Sequence, residues 1–148
     1  MDRRIVPDIV TGQELTTLDP SNTVSDAVKH MARRKIGAVL VAEQGKLCGI
    51  FTERDVIGRV LSKDLDPVTT LLSAVMTHNP DTAKPSDTAM SALDKMSSKG
   101  YRHLPVVDGG KLVGIVSIRD LYDSVRAQLE QDIKQRDQMI FDTGYGVG

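Results

Sequence analysis

The stretch GKLCGIFTERDV (residues 45–56) returns sixty-five residues later as GKLVGIVSIRDL (residues 110–121). Each copy leaves a glycine turn, runs through apolar residues to a hydroxyl, Thr52 or Ser117, and then places an arginine and an aspartate at the same spacing. Sliding the chain by 65 residues aligns 16–60 with 81–125 without a gap, and fifteen of the 45 positions are identical. Average composition gives roughly 6% per position, about a fifth of that agreement. The chain is an internal duplication, and that settles its architecture before any single motif does.

Each copy reads as β-α-β-β-α. A short strand around Thr16–Leu18, or Thr82 in the second copy, stops at a Pro-Ser turn. Val24, Ala27, Val28 and Met31 then recur at helical spacing, with Thr23 placed to cap the helix. Strands are expected at 38–42 and 47–51, and at 104–107 and 112–116, each pair joined by a tight turn. A second helix is expected from Thr52 and from Ser117. In the second copy it runs on, with Leu121, Val125, Leu129 and Ile133 forming a stripe among charges. One such unit buries too little surface to be comfortable alone. Two copies packed sheet to sheet about a pseudo-twofold axis are therefore expected, in an α/β (α+β) fold. The chain divides into an N-terminal segment 1–14, motif one 15–62, a linker with a short helix 63–73, motif two 74–125, and a helix extension with a flexible tail 126–148. The short helix is sought within Val68–Met76.

Composition excludes several classes. The 148 residues carry 19 basic and 20 acidic side chains, a net charge of −1, against the basic excess usual in nucleic-acid binders. Apolar residues make up 40% but aromatics only 3%, so the core must be aliphatic. No apolar run is long enough to span a bilayer, and MDRRIVPDIV lacks the apolar core of a signal peptide. A cytoplasmic protein, neither membrane-bound nor nucleic-acid-binding, is the expectation. The single Cys48 permits no intramolecular disulfide and reads as a small buried hydrophobe. His30, His78 and His103 have no metal-ligand spacing, and no metal site is expected. Nothing matches HExxH, GxSxG or GxxxxGK[ST], so catalytic residues and a catalytic cofactor are not expected.

The repeated corner supports two readings. Ser or Thr followed three residues later by an acid, at a strand-to-helix junction, is a capping box. The same corner suits a nucleoside phosphate. A helix N-terminus favours an anion, a hydroxyl adds a hydrogen bond, and a carboxylate accepts from paired ribose hydroxyls. Spacing alone does not choose between them.

TTLDPSNTVSDAVKHMARRKIGAVLVAEQGKLCGIFTERD and DTAKPSDTAMSALDKMSSKGYRHLPVVDGGKLVGIVSIRD resemble a tandem pair of cystathionine-β-synthase (CBS) domains, a Bateman module, over residues 15–125. The resemblance implies a regulatory module that binds an adenosine ligand between its motifs, AMP first among ADP, ATP, NAD and S-adenosylmethionine. It implies ribose contacts for Asp55 and Asp120, and phosphate-corner hydroxyls at Thr52 and Ser117. Thr17 and Thr82 match the opening strand that borders the cleft. Ile36, Gly37 and Ala38, with Tyr101, Arg102, His103, Leu104 and Pro105, match the strand start that meets adenine. Arg102 and His103 fall where a basic pair faces phosphates, and Arg54 and Arg119 are further phosphate candidates or helix-surface ion pairs. The cluster Lys29, Arg33, Arg34 and Lys35 is a solvated face, an anion rim or a partner surface. The resemblance also implies a homodimer, with the long last helix assisting, and a protein target acted on in trans. The alternative is an interaction module with no physiological nucleotide, its two corners serving only as caps.

Overall fold

Alternation along the strands sets the core. In the computed structural model, which describes residues 3–10 and 15–142, Val39 and Val41 of one strand point into one apolar cluster while Ala38 and Leu40 point into another. This is the period-two pattern of a strand buried on both faces. The elements are β1 (Thr17–Leu18), α1 (Val24–Arg34), β2 (Ala38–Glu43), β3 (Lys46–Thr52), α2 (Glu53–Asp55), α3 (Leu72–Val75), β4 (Thr77–His78), α4 (Ala89–Lys99), β5 (His103–Asp108), β6 (Lys111–Ser117) and α5 (Ile118–Asp142). A π-type turn, Ile5–Ile9, precedes them. This is a mixed α+β chain with two sheets and a long C-terminal helix, as the repeat predicts.

Two compact units result, with boundaries that fall inside β5 and β6. The sheet unit comprises Gly12–Ala83 and Pro105–Ile115. Its four strands run in the order β1-β2-β3-β4, β1 parallel to β2 and the rest antiparallel. One face packs Val39, Val41 and Phe51 against Val24, Ala27 and Met31 of α1 and Leu72 and Val75 of α3. The other face carries Ala38, Leu40 and Ile50, covered by Leu15, Leu47, Leu112 and Ile115. At Gly49 a Cβ would collide with the buried Met76 side chain, so the glycine is what lets β3 lie under Met76. Burying the aliphatic side chains of α1 and β2 is worth about 1.5–3 kcal/mol each.

Thr23 caps α1 as expected, and Asp26 completes the box: Thr23 N–H donates to Asp26 at 3.0 Å and Asp26 N–H to Thr23 Oγ1 at 3.2 Å. Lys35 ends the helix in the left-handed conformation at φ 55°. After α2 the chain loosens into a π-type segment, Val56–Val60, and a 3₁₀ turn, Leu61–Lys63. Gly58 lies there, and Ser62 Oγ donates to its carbonyl at 2.8 Å, a back-bond that disturbs helices. The linker helix sought in Val68–Met76 is confined to α3, and Thr77–His78 pairs with β3 instead.

The helix unit comprises residues up to Thr11, Lys84–Leu104 and Val116 onward. Ala89, Ala92 and Met96 of α4 are buried, as are Leu104, Val116, Leu121 and Ile5. The N-terminal segment belongs to this core. Ile5 N–H donates to Asp87 O at 3.0 Å, Ala89 N–H to Arg3 O at 2.9 Å, and Arg3 Nε to Gln128 Oε1 at 3.1 Å. The expected stripe on α5 turns outward along its length: Leu121 is buried, Val125 half-buried, Leu129 and Ile133 exposed. The tail predicted beyond Asp142 lies outside the described residues. Cys48 is half-buried rather than buried; its thiol donates to Val41 O at 3.3 Å. Burial, with the Glu43 and Asp19 carboxylates nearby, pushes that thiol up.

Candidate functional site

Both repeated corners are built the same way. At the first, Thr52 N–H donates to Asp55 Oδ2 at 2.9 Å, and Asp55 N–H donates to Thr52 Oγ1 at 3.3 Å. At the second, Ser117 N–H donates to Asp120 Oδ2 and Asp120 N–H to Ser117 Oγ, both at 3.1 Å. Each corner is tied to the start of its preceding hairpin strand. Glu53 N–H donates to Gly37 O at 3.0 Å, and Ile118 N–H donates to Arg102 O at 2.8 Å. Gly37 and Arg102 sit 65 residues apart, so the repeat reproduces this bond as well.

In the sheet unit, Ala38 is the register partner of Thr52, and Thr17 pairs with Leu40 one strand over. Ile36 is exposed and Ala38 buried. The structure therefore gathers Gly37, Ala38, Thr52 and Asp55 around one strand end, with Thr17 across the sheet. Arg54 points along the exposed side of α2. An open cavity of about 500 Å³ borders the same corner between α1 and the α2 segment; it is lined by Val28, Met31, Ile36, Gly37 and Ile57, with Lys35 and Glu53 also on its wall.

In the helix unit, Arg102 is joined to the Ser117–Asp120 corner through its carbonyl. Tyr101 and His103 are half-buried beside it in sequence, Leu104 is buried, and Arg119 is exposed on the first turn of α5. Thr82 and Pro105 fall in the sheet unit instead. There the opening strand of the second copy shrinks to one parallel bridge, Ala83 to Val106, with Ala83 N–H donating to Pro105 O at 2.8 Å.

One residue at the first corner escaped the sequence reading. Arg59 Nε lies 3.5 Å from Asp55 Oδ1, and Arg59 Nη1 donates to Val75 O at 3.1 Å. Its i,i+4 spacing from Asp55 was the available signal. The second copy has Ser124 at that register, buried, with a hydroxyl that finds no hydrogen-bond partner among the described residues. On α1, His30 Nε2 lies 3.4 Å from Thr16 Oγ1, which also accepts from Arg34. Burial, then the charges of Arg34 and Arg33, hold the His30 imidazole below its usual range. Among the described residues no three His, Cys, Asp or Glu side chains gather as a metal site, and no helix is long and apolar enough to cross a membrane.

The family model for the CBS domain matches this chain twice, over residues 6–62 and 72–127. The chain belongs to the CBS domain family. The CBS domain-containing protein YhcV of Bacillus subtilis is 35% identical over 116 residues, 78% of this chain and 81% of that one. The CBS domain-containing protein CBSCBSPB2 of Arabidopsis thaliana is 38% identical over 121 residues, 80% of this chain, and the match spans only 22% of that longer protein. Among solved structures, a signal-transduction protein with CBS domains from Burkholderia ambifaria superposes with a TM-score of 0.76 at 38% identity, covering 79% of this chain and 86% of that one. The fold is also shared, at 24% identity and a TM-score of 0.69, with a CBS domain protein from Pyrobaculum aerophilum complexed with AMP; the match covers 76% of this chain and 86% of that one. Within the family, this chain is of the CBS-pair type, with two copies of the domain in tandem.

Proposed function

We propose that the chain is an adenosine-nucleotide sensor that self-associates and signals to a protein target. The observation that carries the reading is the doubled corner. Each copy sets a hydroxyl, helix N–H groups and a carboxylate within one turn, and the second copy adds Arg102 and His103 where strand β5 begins. A ribose offers paired donors to the aspartate, and a phosphate seeks the N–H groups and the cationic side chains. The AMP-bound neighbour supports the reading only in that this fold holds such a ligand. The bound nucleotide, AMP first among the candidates, favours one packing of the module over another. It changes a target's affinity by as much as it discriminates between the two.

The corners also favour a second reading. Both capping boxes close on themselves, so each carboxylate already has work as a helix cap. On that reading the chain is an interaction module without a physiological nucleotide. Thermal unfolding of ligand-stripped protein, checked by mass spectrometry, separates the two. AMP, ADP, ATP, NAD and S-adenosylmethionine are added in turn. At a hundredfold excess over Kd, one site adds about 2.7 kcal/mol, a rise of roughly 5–10 °C at this size. A selective rise supports the sensor, and no rise with any of the five overturns it in favour of the interaction module.

A further inference from the structure

The two repeated corners differ in what stands beside the aspartate. In both, one carboxylate oxygen accepts from the N–H of the hydroxyl residue that caps the helix. At the first corner the other oxygen, Asp55 Oδ1, faces the Arg59 guanidinium, whose Nε lies 3.5 Å away. At the second, the register of Arg59 is filled by Ser124, which is buried and uncharged. The aspartates differ accordingly in exposure. With Arg59 laid against it the Asp55 side chain is only 16% exposed, whereas Asp120 is open to solvent.

Arg59 is held in place by its neighbours on the chain and by a second anchor. It belongs to the π-type segment Val56–Val60, whose two end residues pack into the core beside α1 and α3, Val60 fully buried and Val56 half-buried. Its Nη1 donates to Val75 O at 3.1 Å. That carbonyl ends α3 and is one of those that a helix end leaves without an internal donor. The rigid fork of a guanidinium lets one side chain serve carboxylate and carbonyl together. Yet Arg59 is 47% exposed, and an ion pair of that exposure is weak on its own, so the side chain can be drawn out into water.

We propose that Arg59 is a latch on the first corner: in the empty protein its guanidinium holds the place beside Asp55 that ribose hydroxyls take when nucleotide binds. Nucleotide then fills the second corner first and reaches the first only by displacing Arg59. The proposal rests on the nucleotide reading above and assigns it an order. A carboxylate accepts on two oxygens; at Asp55 one caps the helix and the guanidinium stands over the other, which leaves paired hydroxyls no open approach. A latch closed about nine-tenths of the time raises the apparent Kd of the first corner about tenfold. Arg59 is thus a positioning residue that acts through Asp55, and the second copy has no counterpart to it.

Calorimetric titration of the ligand-stripped whole chain tests this. AMP, ADP, ATP, NAD and S-adenosylmethionine are compared, and the tightest binder is carried into an Asp120→Ala background that silences the second corner. Adding Arg59→Met, which keeps an apolar stem and removes the fork, should tighten the remaining site about tenfold. Adding Arg59→Lys, which keeps the charge but cannot hold both partners at once, should tighten it about threefold, and it carries the test if the methionine variant does not fold. Thermal unfolding is the control: an arginine with a structural role alone lowers the midpoint and never improves affinity. Unchanged affinity in the folded variants overturns the latch, and so does a loss, which would make Arg59 a ligand contact; either result leaves the nucleotide reading standing on the native titration. Absence of binding heat from all five compounds, in the native chain and in Arg59→Met alike, overturns the nucleotide reading and the latch with it.

Discussion

The two corners share a backbone and differ in their electrostatics. At the first, Asp55 is largely buried, its side chain 16% exposed, and carries both the Thr52 N–H and the Arg59 guanidinium, which is itself tied to Val75. Glu53 opens the helix, and only three residues of regular α2 follow before the π-type segment. At the second corner Asp120 is exposed, Ile118 stands in place of Glu53, and 25 helical residues follow. Arg102 and His103 replace Gly37 and Ala38. An acidic first residue opposes an anion at a helix N-terminus, and a long, regular helix supports one. Duplication thus preserved the hydrogen-bonded corner, while substitution gave the first copy a largely buried, ion-paired aspartate and the second an exposed aspartate near Arg102 and His103.

The largest effect should come from splitting the aspartates. Asp120→Ala is expected to weaken nucleotide binding at least tenfold, about 1.4 kcal/mol, while costing only about 0.5 kcal/mol of stability as one arm of a cap. For Asp55→Ala the weights reverse. The cap arm and the part-exposed Arg59 pair together cost about 1–1.5 kcal/mol, and nucleotide affinity falls about threefold or less. Urea unfolding and calorimetric titration of both variants check this. Equal losses of affinity at the two positions would erase the functional distinction between the corners.

How far the sequence spelled this out follows from what a repeat can carry. Strand ends, the Thr23, Thr52 and Ser117 caps and the Gly37/Arg102 register are local, so a 65-residue alignment predicts them. The Arg59–Asp55 pair is also local, yet it lies where the copies differ, at Arg59 and Ser124, and an alignment of the copies hides it. Non-local outcomes were illegible. Thr77–His78 joins the sheet beside β3, although it follows the linker and begins the second copy. The chain around Thr82 keeps only one bridge. The first residues pack on α4 and α5 because Ile5 supplies an apolar side chain that the Ala-rich face of α4 lacks. The helical stripe was read correctly as apolar, but spacing does not say which of its residues the unit itself covers.

A smaller effect lies at the ends of the two first helices. Lys35 and Gly100 both close a helix in the left-handed region, at φ 55° and 77°. Only glycine adopts that conformation without a Cβ penalty of about 1–2 kcal/mol. Lys35→Gly should therefore stabilise the sheet unit by about 0.5–1 kcal/mol, after the added freedom of the unfolded glycine is subtracted. Urea unfolding should show a higher midpoint at unchanged slope. A loss of stability would mean that the Lys35 side chain contributes more at the cavity wall than its backbone costs.

The smallest effect is a pH dependence confined to the first copy. His30 lies among Arg33, Arg34 and Thr16, and its register partner in the second copy is Lys95, not a second histidine. Burial and the two arginines lower the folded pKa of His30, so the folded state binds fewer protons than the unfolded chain. Its contribution is fully present above the unfolded value of about 6.5 and is lost as pH falls through that value toward the folded one. Asp19 and Asp26, held low by hydrogen bonds from Ser21 and Thr23, lose their contributions only in the acid range below about 4. Between pH 7 and 5 the native chain should therefore soften slightly, and His30→Gln should flatten that slope while leaving the transition below pH 4 in place. An unchanged slope in His30→Gln would assign the softening to another group and leave the two copies alike in their response to pH.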